Sequence, residues 1–125
     1  MSHPRFTLLL ATLVAVVIAS PAFAQGGATS SIAGVVLDTD GGVIPGATIT
    51  STNEATAGTS TVVSSSNGTF TIPALNVGSY TVTVSLQGFK TAVLRGVVVT
   101  AGAPGTVRVI LEVGGLSETV VVEAA

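Results

Sequence analysis

Few side chains in this chain can do chemistry. Its 125 residues hold one histidine, His3, no cysteine and no tryptophan, with four Lys+Arg against six Asp+Glu. Nucleophilic catalysis of the Ser-His-acid kind needs a base beside its hydroxyl, and past His3 only Lys90 is offered, with Ser79 and Ser85 near it in sequence. Convergent titratable groups are missing, so no catalytic residue is expected. Asp38 and Asp40, beside Gly41-Gly42, could give oxygens to Ca²⁺. That ion takes six to eight ligands and no full loop signature follows, so the preferred reading is a turn whose Asp side chains bond backbone amides. Missing cysteines remove thiolate metal sites and disulfides, while GxxxxGK(S/T) and GxGxxG do not occur. No cofactor or metal is expected.

Beyond Arg5 the basic residues are Lys90, Arg95 and Arg108, and the formal charge is −2. No basic face exists for a polynucleotide, so nucleic acid is excluded as a partner.

The elements that position these residues begin with a presequence. Arg5 precedes the uncharged run Phe6 to Ile18, thirteen residues long, and Ala22-Phe23-Ala24 supplies the small residues of a cleavage site. Residues 1–24 read as a Sec signal peptide, with the exported chain starting at Gln25. The run is short of the roughly 20 residues a bilayer span needs, so no transmembrane segment is expected in the mature chain. Residues 25–30 are a polar lead-in containing Gly26 and Gly27.

From Ser31 onward short β-rich runs alternate with turn residues, and no window has the three-and-four spacing of a helix. Candidate strands are Ser31 to Asp38, Ala47 to Asn53, Ser60 to Ser65, Thr69 to Ile72, Ser79 to Leu86, Thr91 to Thr100 broken at Gly96, and Thr106 to Val113. This predicts an all-β, seven-stranded Greek-key β-sandwich over residues 31–113. Tyr80, Val82, Val84 and Leu86 share one face, which must be buried; Val107, Val109 and Leu111 do the same near the end. The first strand is apolar on both faces, through Ile32 and Val36 on one and Val35 and Leu37 on the other. It is central, or it meets a neighbour. Asp40-Gly41-Gly42, Pro45-Gly46 and Asn67-Gly68 supply turn conformations. Asn67-Gly68-Thr69, formally a glycosylation sequon, reads as a hairpin turn.

The succession Ile32, Gly34, Val36, Asp38, Gly42, Ile44-Pro45-Gly46-Ala47 and Ile49 resembles the opening of carboxypeptidase regulatory-like domains. Asn67-Gly68-Thr69-Phe70-Thr71-Ile72, Leu75, Gly78-Ser79-Tyr80, Val82, Val84 and Gly88-Phe89 resemble the second half of that family's pattern. The resemblance implies a prealbumin (transthyretin)-like sandwich, also grouped with carbohydrate-binding-like folds, that serves as an accessory module. Family members often carry an acidic residue just before the Asn-Gly turn; here Ser65 and Ser66 stand there.

A second resemblance follows in residues 114–125. After Gly114-Gly115, read as a hinge, Leu116-Ser117 leads into Glu118, Thr119, Val120, Val121, Val122, Glu123 and Ala124. This segment looks like a TonB box, the acidic-Thr-aliphatic strand of TonB-dependent outer-membrane receptors. Its place after a regulatory-like sandwich is similar to the Oar-type receptors, in which a plug and barrel follow. The resemblance implies a flexible tail that docks on a TonB-like protein by β-augmentation, at the periplasmic face of the outer membrane. The other readings of the tail are an eighth strand or a frayed end. The non-receptor alternative is a stand-alone secreted module binding carbohydrate or a surface. Without tryptophan, and with Phe70, Tyr80 and Phe89 assigned to the core, rings to stack on a sugar are lacking.

Overall fold

The computed structural model describes residues 29–115 and 117–124. Its strands are β1 (Thr29–Asp38), β2 (Thr48–Asn53), β3 (Thr59–Val63), β4 (Thr69–Asn76), β5 (Gly78–Ser85), β6 (Thr91–Val99), β7 (Gly105–Leu111) and β8 (Thr119–Glu123). They form two facing sheets, ordered β4-β1-β7 and β3-β2-β5-β6-β8. The all-β sandwich is as the sequence predicts. The presequence reading of residues 1–24 lies outside the described residues.

Two features of the expectation need correction. Among the described residues there are eight strands, the seven expected and the tail as an eighth, and the tail is paired instead of flexible. Without β8, β6 would end its sheet with an unpaired row of N–H and C=O groups. A Val-rich segment arriving beside that row exchanges water contacts for a ladder, so Thr119–Glu123 docks on β6. The lead-in also shortens, because Thr29 and Ser30 already pair with Asn76 and Leu75.

Of the two positions the sequence allows for the first strand, the central one is observed. β1 lies between antiparallel β4 and parallel β7, so its backbone is occupied on both sides. Ile32 and Val36 are fully buried, and Leu37 is buried as well. Gly34 is opposite Phe70 on one neighbour and Val107 on the other. A Cβ there would overlap the Val107 carbonyl oxygen and come within 2.8 Å of the Phe70 ring. Glycine is required by that close approach.

The core between the sheets is built from alternating residues: Tyr80, Val82 and Val84 of β5 meet Val107, Val109 and Leu111 of β7 in one cluster with Ile32, Ile49 and Ile72. Leu86 packs against it from its rim, while Ile110 points outward. Asn67-Gly68 turns β3 into β4, and Ser65 stands in for the missing acidic residue: its hydroxyl accepts the Asn67 N–H and bonds the Thr69 hydroxyl at 2.8 Å.

Two buried serines make opposite contributions. Ser64 Oγ accepts the Ala47 N–H at 2.9 Å and donates to the Ile44 carbonyl at 2.8 Å, closing the loop before β2. Ser51 Oγ is buried without a hydrogen-bond partner. Ser64→Ala is therefore expected to cost about 1–3 kcal/mol, since it strands a donor and an acceptor, whereas Ser51→Ala is expected to be neutral or stabilising. Urea midpoints of the two variants check the contrast; equal losses would contradict it.

Candidate functional site

The tail residues singled out from the sequence are brought together along one edge. Thr119, Val120, Val121, Val122 and Glu123 pair in parallel with Thr91, Ala92, Val93, Leu94 and Arg95. At one end the Glu118 carbonyl accepts the Thr91 N–H at 2.8 Å; at the other the Ala124 N–H donates to the Arg95 carbonyl at 2.6 Å. A parallel ladder uses every second residue of a strand. Glu118 and Ala124 facing β6 therefore put Val120 and Val122 there too. The N–H and C=O groups of Thr119, Val121 and Glu123 face away, along the open edge of the five-stranded sheet.

Gly114 and Gly115 are not a free hinge. The Gly114 N–H donates to the Gly88 carbonyl at 3.1 Å, and the Gly115 carbonyl accepts from Glu118 N–H at 3.0 Å. Lys90, which the sequence presented only as a stray base, anchors this turn. Its ammonium lies 3.4 Å from Glu112 and 3.5 Å from Glu118, sharing one charge between two carboxylates. Exposed pairs of this kind stabilise weakly, so Lys90 sets the direction of the tail more than its free energy. Nothing in the spacing of Lys90 and Glu118 signals their meeting.

Glu54 is the other residue that sequence reasoning passes over. It stands directly after β2, in the turn, and reaches the bulge where β6 departs from its register with β5, between the Tyr80–Val97 and Val82–Leu94 pairs. Gly96 sits in that bulge with φ +73°, as a left-handed bulge residue does. Its N–H donates to Glu54 Oε1 at 3.0 Å, and the Thr81 hydroxyl donates at 3.1 Å. The Gly96 hydrogen bond holds the Glu54 carboxyl below its ordinary value, against the opposing effect of desolvation, with help from the Thr81 and Ser79 hydroxyls and the Arg95 charge. A depressed carboxylate contributes stability above its unfolded pKa and loses it as pH falls through the folded one. Glu54→Gln is expected to lower the neutral-pH midpoint slightly, because the ionised carboxylate's contribution is gone, and to flatten the further loss of stability below about pH 4.3. Chemical denaturation across that range checks it; an unchanged acid limb would exclude the bulge clamp as its source.

The other candidate sites resolve into structure. Asp38 Oδ1 accepts the N–H groups of Asp40 and Gly42, each at 2.8 Å, which is the turn role preferred from the sequence. Among the described residues no three His, Cys, Asp or Glu side chains come together as a metal-holding group. Phe70 and Tyr80 are buried and Phe89 packs against the core. A shallow cleft of about 410 Å³ opens at one end of the sandwich, where Asn53, Glu54, Asn76 and Ser79 alternate with Ala55 and Val77 and more of the surface is apolar than polar. No helix among the described residues is long and apolar enough to cross a membrane.

A sequence model of the carboxypeptidase regulatory-like domain matches residues 31–112. The chain belongs to that family. It is a β-sandwich module of carboxypeptidase-regulatory type. No curated protein matches the sequence. Among solved structures, the Bacillus anthracis TIE protein is similar over 69% of this chain and 17% of its own, with 21% identity and TM-score 0.59. A cohesin–X-dockerin complex from Acetivibrio cellulolyticus matches 68% of this chain and 58% of its own (20% identity, TM-score 0.54). A Bacteroides uniformis protein suggested to bind carbohydrate matches 68% and 42% respectively (20% identity, TM-score 0.56). At these identities the likeness is one of fold. The regulatory-like chain spans less than two thirds of the length of each of these proteins.

Proposed function

We propose that this protein is exported by the Sec route and that its sandwich is the periplasmic N-terminal module of a TonB-dependent outer-membrane receptor. Its tail is the partner-docking element, joined to a TonB-like protein by β-augmentation. The observation that carries the reading is the acidic-Thr-aliphatic segment Glu118 to Ala124, which directly follows a regulatory-like sandwich and lies on an open sheet edge. The sandwich has the task of presenting that edge. Backbone pairing supplies the affinity and alternate side chains the selectivity.

The test is a titration of the isotopically labelled chain with an isolated TonB C-terminal domain, followed by NMR. Shifts confined to residues 118–124 are expected. No shift at millimolar TonB domain removes the receptor reading. Export is checked separately by intact mass of periplasmic protein, which should begin at Gln25; retained residues 1–24 would contradict it.

A second reading, a stand-alone module binding carbohydrate or a surface, is favoured by the cleft that carries the side-chain amides of Asn53 and Asn76. No ring is turned toward solvent there to stack on a sugar, which places this reading second. Oligosaccharide-induced shifts at Asn53, Thr56 and Ser79 would reverse the order.

A further inference from the structure

We infer that the tail takes its partner in place. The incoming strand adds to the open edge of β8 while β8 stays paired with β6, so that both partners share one continuous sheet, and the strand that fits is an extended segment with basic residues at both ends. The inference rests on the partner-docking reading of the tail.

Three observations carry it. First, β8 needs no release to be bound: Val120 and Val122 spend their backbone groups on β6, and Thr119, Val121 and Glu123 keep theirs on the free side. An added strand finds a preformed row of donors and acceptors, and the entropy of ordering the tail is already spent. Second, β8 overhangs the edge of the facing sheet. Val120 and Val122 share a face with Ala92 and Leu94, and the groove between β8 and β7, of about 320 Å³, is completed by Arg108 and Ile110. Val122 is 50% exposed and Ile110 51%. Alternate apolar side chains of an added strand would lie beside Val120 and Val122 over this groove, removing that surface from water. Third, the edge is acidic at both ends. Glu118 and Glu123 flank it, and Lys90 is divided between Glu118 and Glu112. Arg95, the residue in register with Glu123, also acts on Glu54. Because both ends are acidic, a strand with basic residues at each end is matched in either direction, while an acidic one is repelled.

The register separates the two edges of β8 by a single residue. Proline at 121 removes only an outward N–H, a position proline occupies in natural edge strands; proline at 122 removes a donor to β6.

The experiment uses the labelled full chain and a capped strand peptide, Lys-Val-Thr-Val-Thr-Val-Lys, with a Glu-ended version as its counterpart. Shifts at the amides of Thr119, Val121 and Glu123 are expected, with hydrogen-exchange protection at Val120 and Val122 kept or raised. Val121→Pro should abolish these shifts without loss of protection at Val120. Absence of shifts at about 2 mM of the Lys-ended peptide would overturn the inference, given a groove and a row of donors already in place. So would collapse of protection at Val120 and Val122 on binding, or equal binding of the Glu-ended peptide. Failure of the TonB domain alone, with the peptide still bound at this edge, removes the receptor reading and leaves the in-place edge standing.

Discussion

Tyr80→Ala is expected to lower stability by about 3–5 kcal/mol, the range for removing a large buried aromatic side chain. Tyr80 is 3% exposed and stands on β5, between β2 and β6, where its ring is held in the central cluster. Its hydroxyl donates to the Asn76 carbonyl at 2.8 Å, so truncation also leaves that acceptor without its partner. Tyr80→Phe separates the two losses: keeping the ring and losing the hydrogen bond should cost only about 1 kcal/mol. Denaturant melts of the three proteins decide it. A difference below about 1 kcal/mol for the alanine variant would mean that the ring is not a core anchor.

Gly34→Ala is expected to be as damaging, for the opposite reason. The added methyl group meets the Val107 carbonyl oxygen and the Phe70 ring, and the first of these is backbone in a neighbouring strand. Relief requires β1 and β7 to part. Overpacking in a tight interior costs about 1–3 kcal/mol, and an obstacle that cannot rotate away puts this site at or above the top of that range. Gly58→Ala is the control: the nearest atom is the Thr56 hydroxyl at 3.5 Å, and a change within about 0.5 kcal/mol is expected. Equal melting of the two variants would contradict the close approach of β1 and β7.

Much of the sandwich was legible because period-two alternation survives wherever one face of a strand is buried. Tyr80, Val82 and Val84 gave β5 its inward face, and Val107, Val109 and Leu111 did the same for β7. The Asp38 turn followed from Asx chemistry. What escaped were contacts set by long-range pairing. β4 runs on to Asn76, past Pro73, where the sequence suggests a stop at Ile72. The proline is tolerated because β4 is the edge of its sheet and because Pro73 falls in the shift of register between the Ile32–Ile72 and Ser30–Leu75 pairs, where it has no partner in β1. β8 escaped for a related reason. Its three consecutive valines show no alternation, and its partner β6 lies across a crossover through the other sheet. Glu54 escaped because its acceptors' partner, the Gly96 amide, is exposed only by a bulge that the sequence marks with a single glycine.

The parallel docking of β8 also redraws where this module ends. The family match stops at residue 112, yet the folded unit continues through Ala124. A fragment cut at the family boundary would lose the strand that covers β6. It would present the bare backbone between Thr91 and Arg95, beside Ala92 and Leu94, to other copies of itself. A raw edge of that length invites strand exchange and aggregation. The last turn and strand thus serve β6 as its selvedge, and the natural unit for handling the module is the longer one.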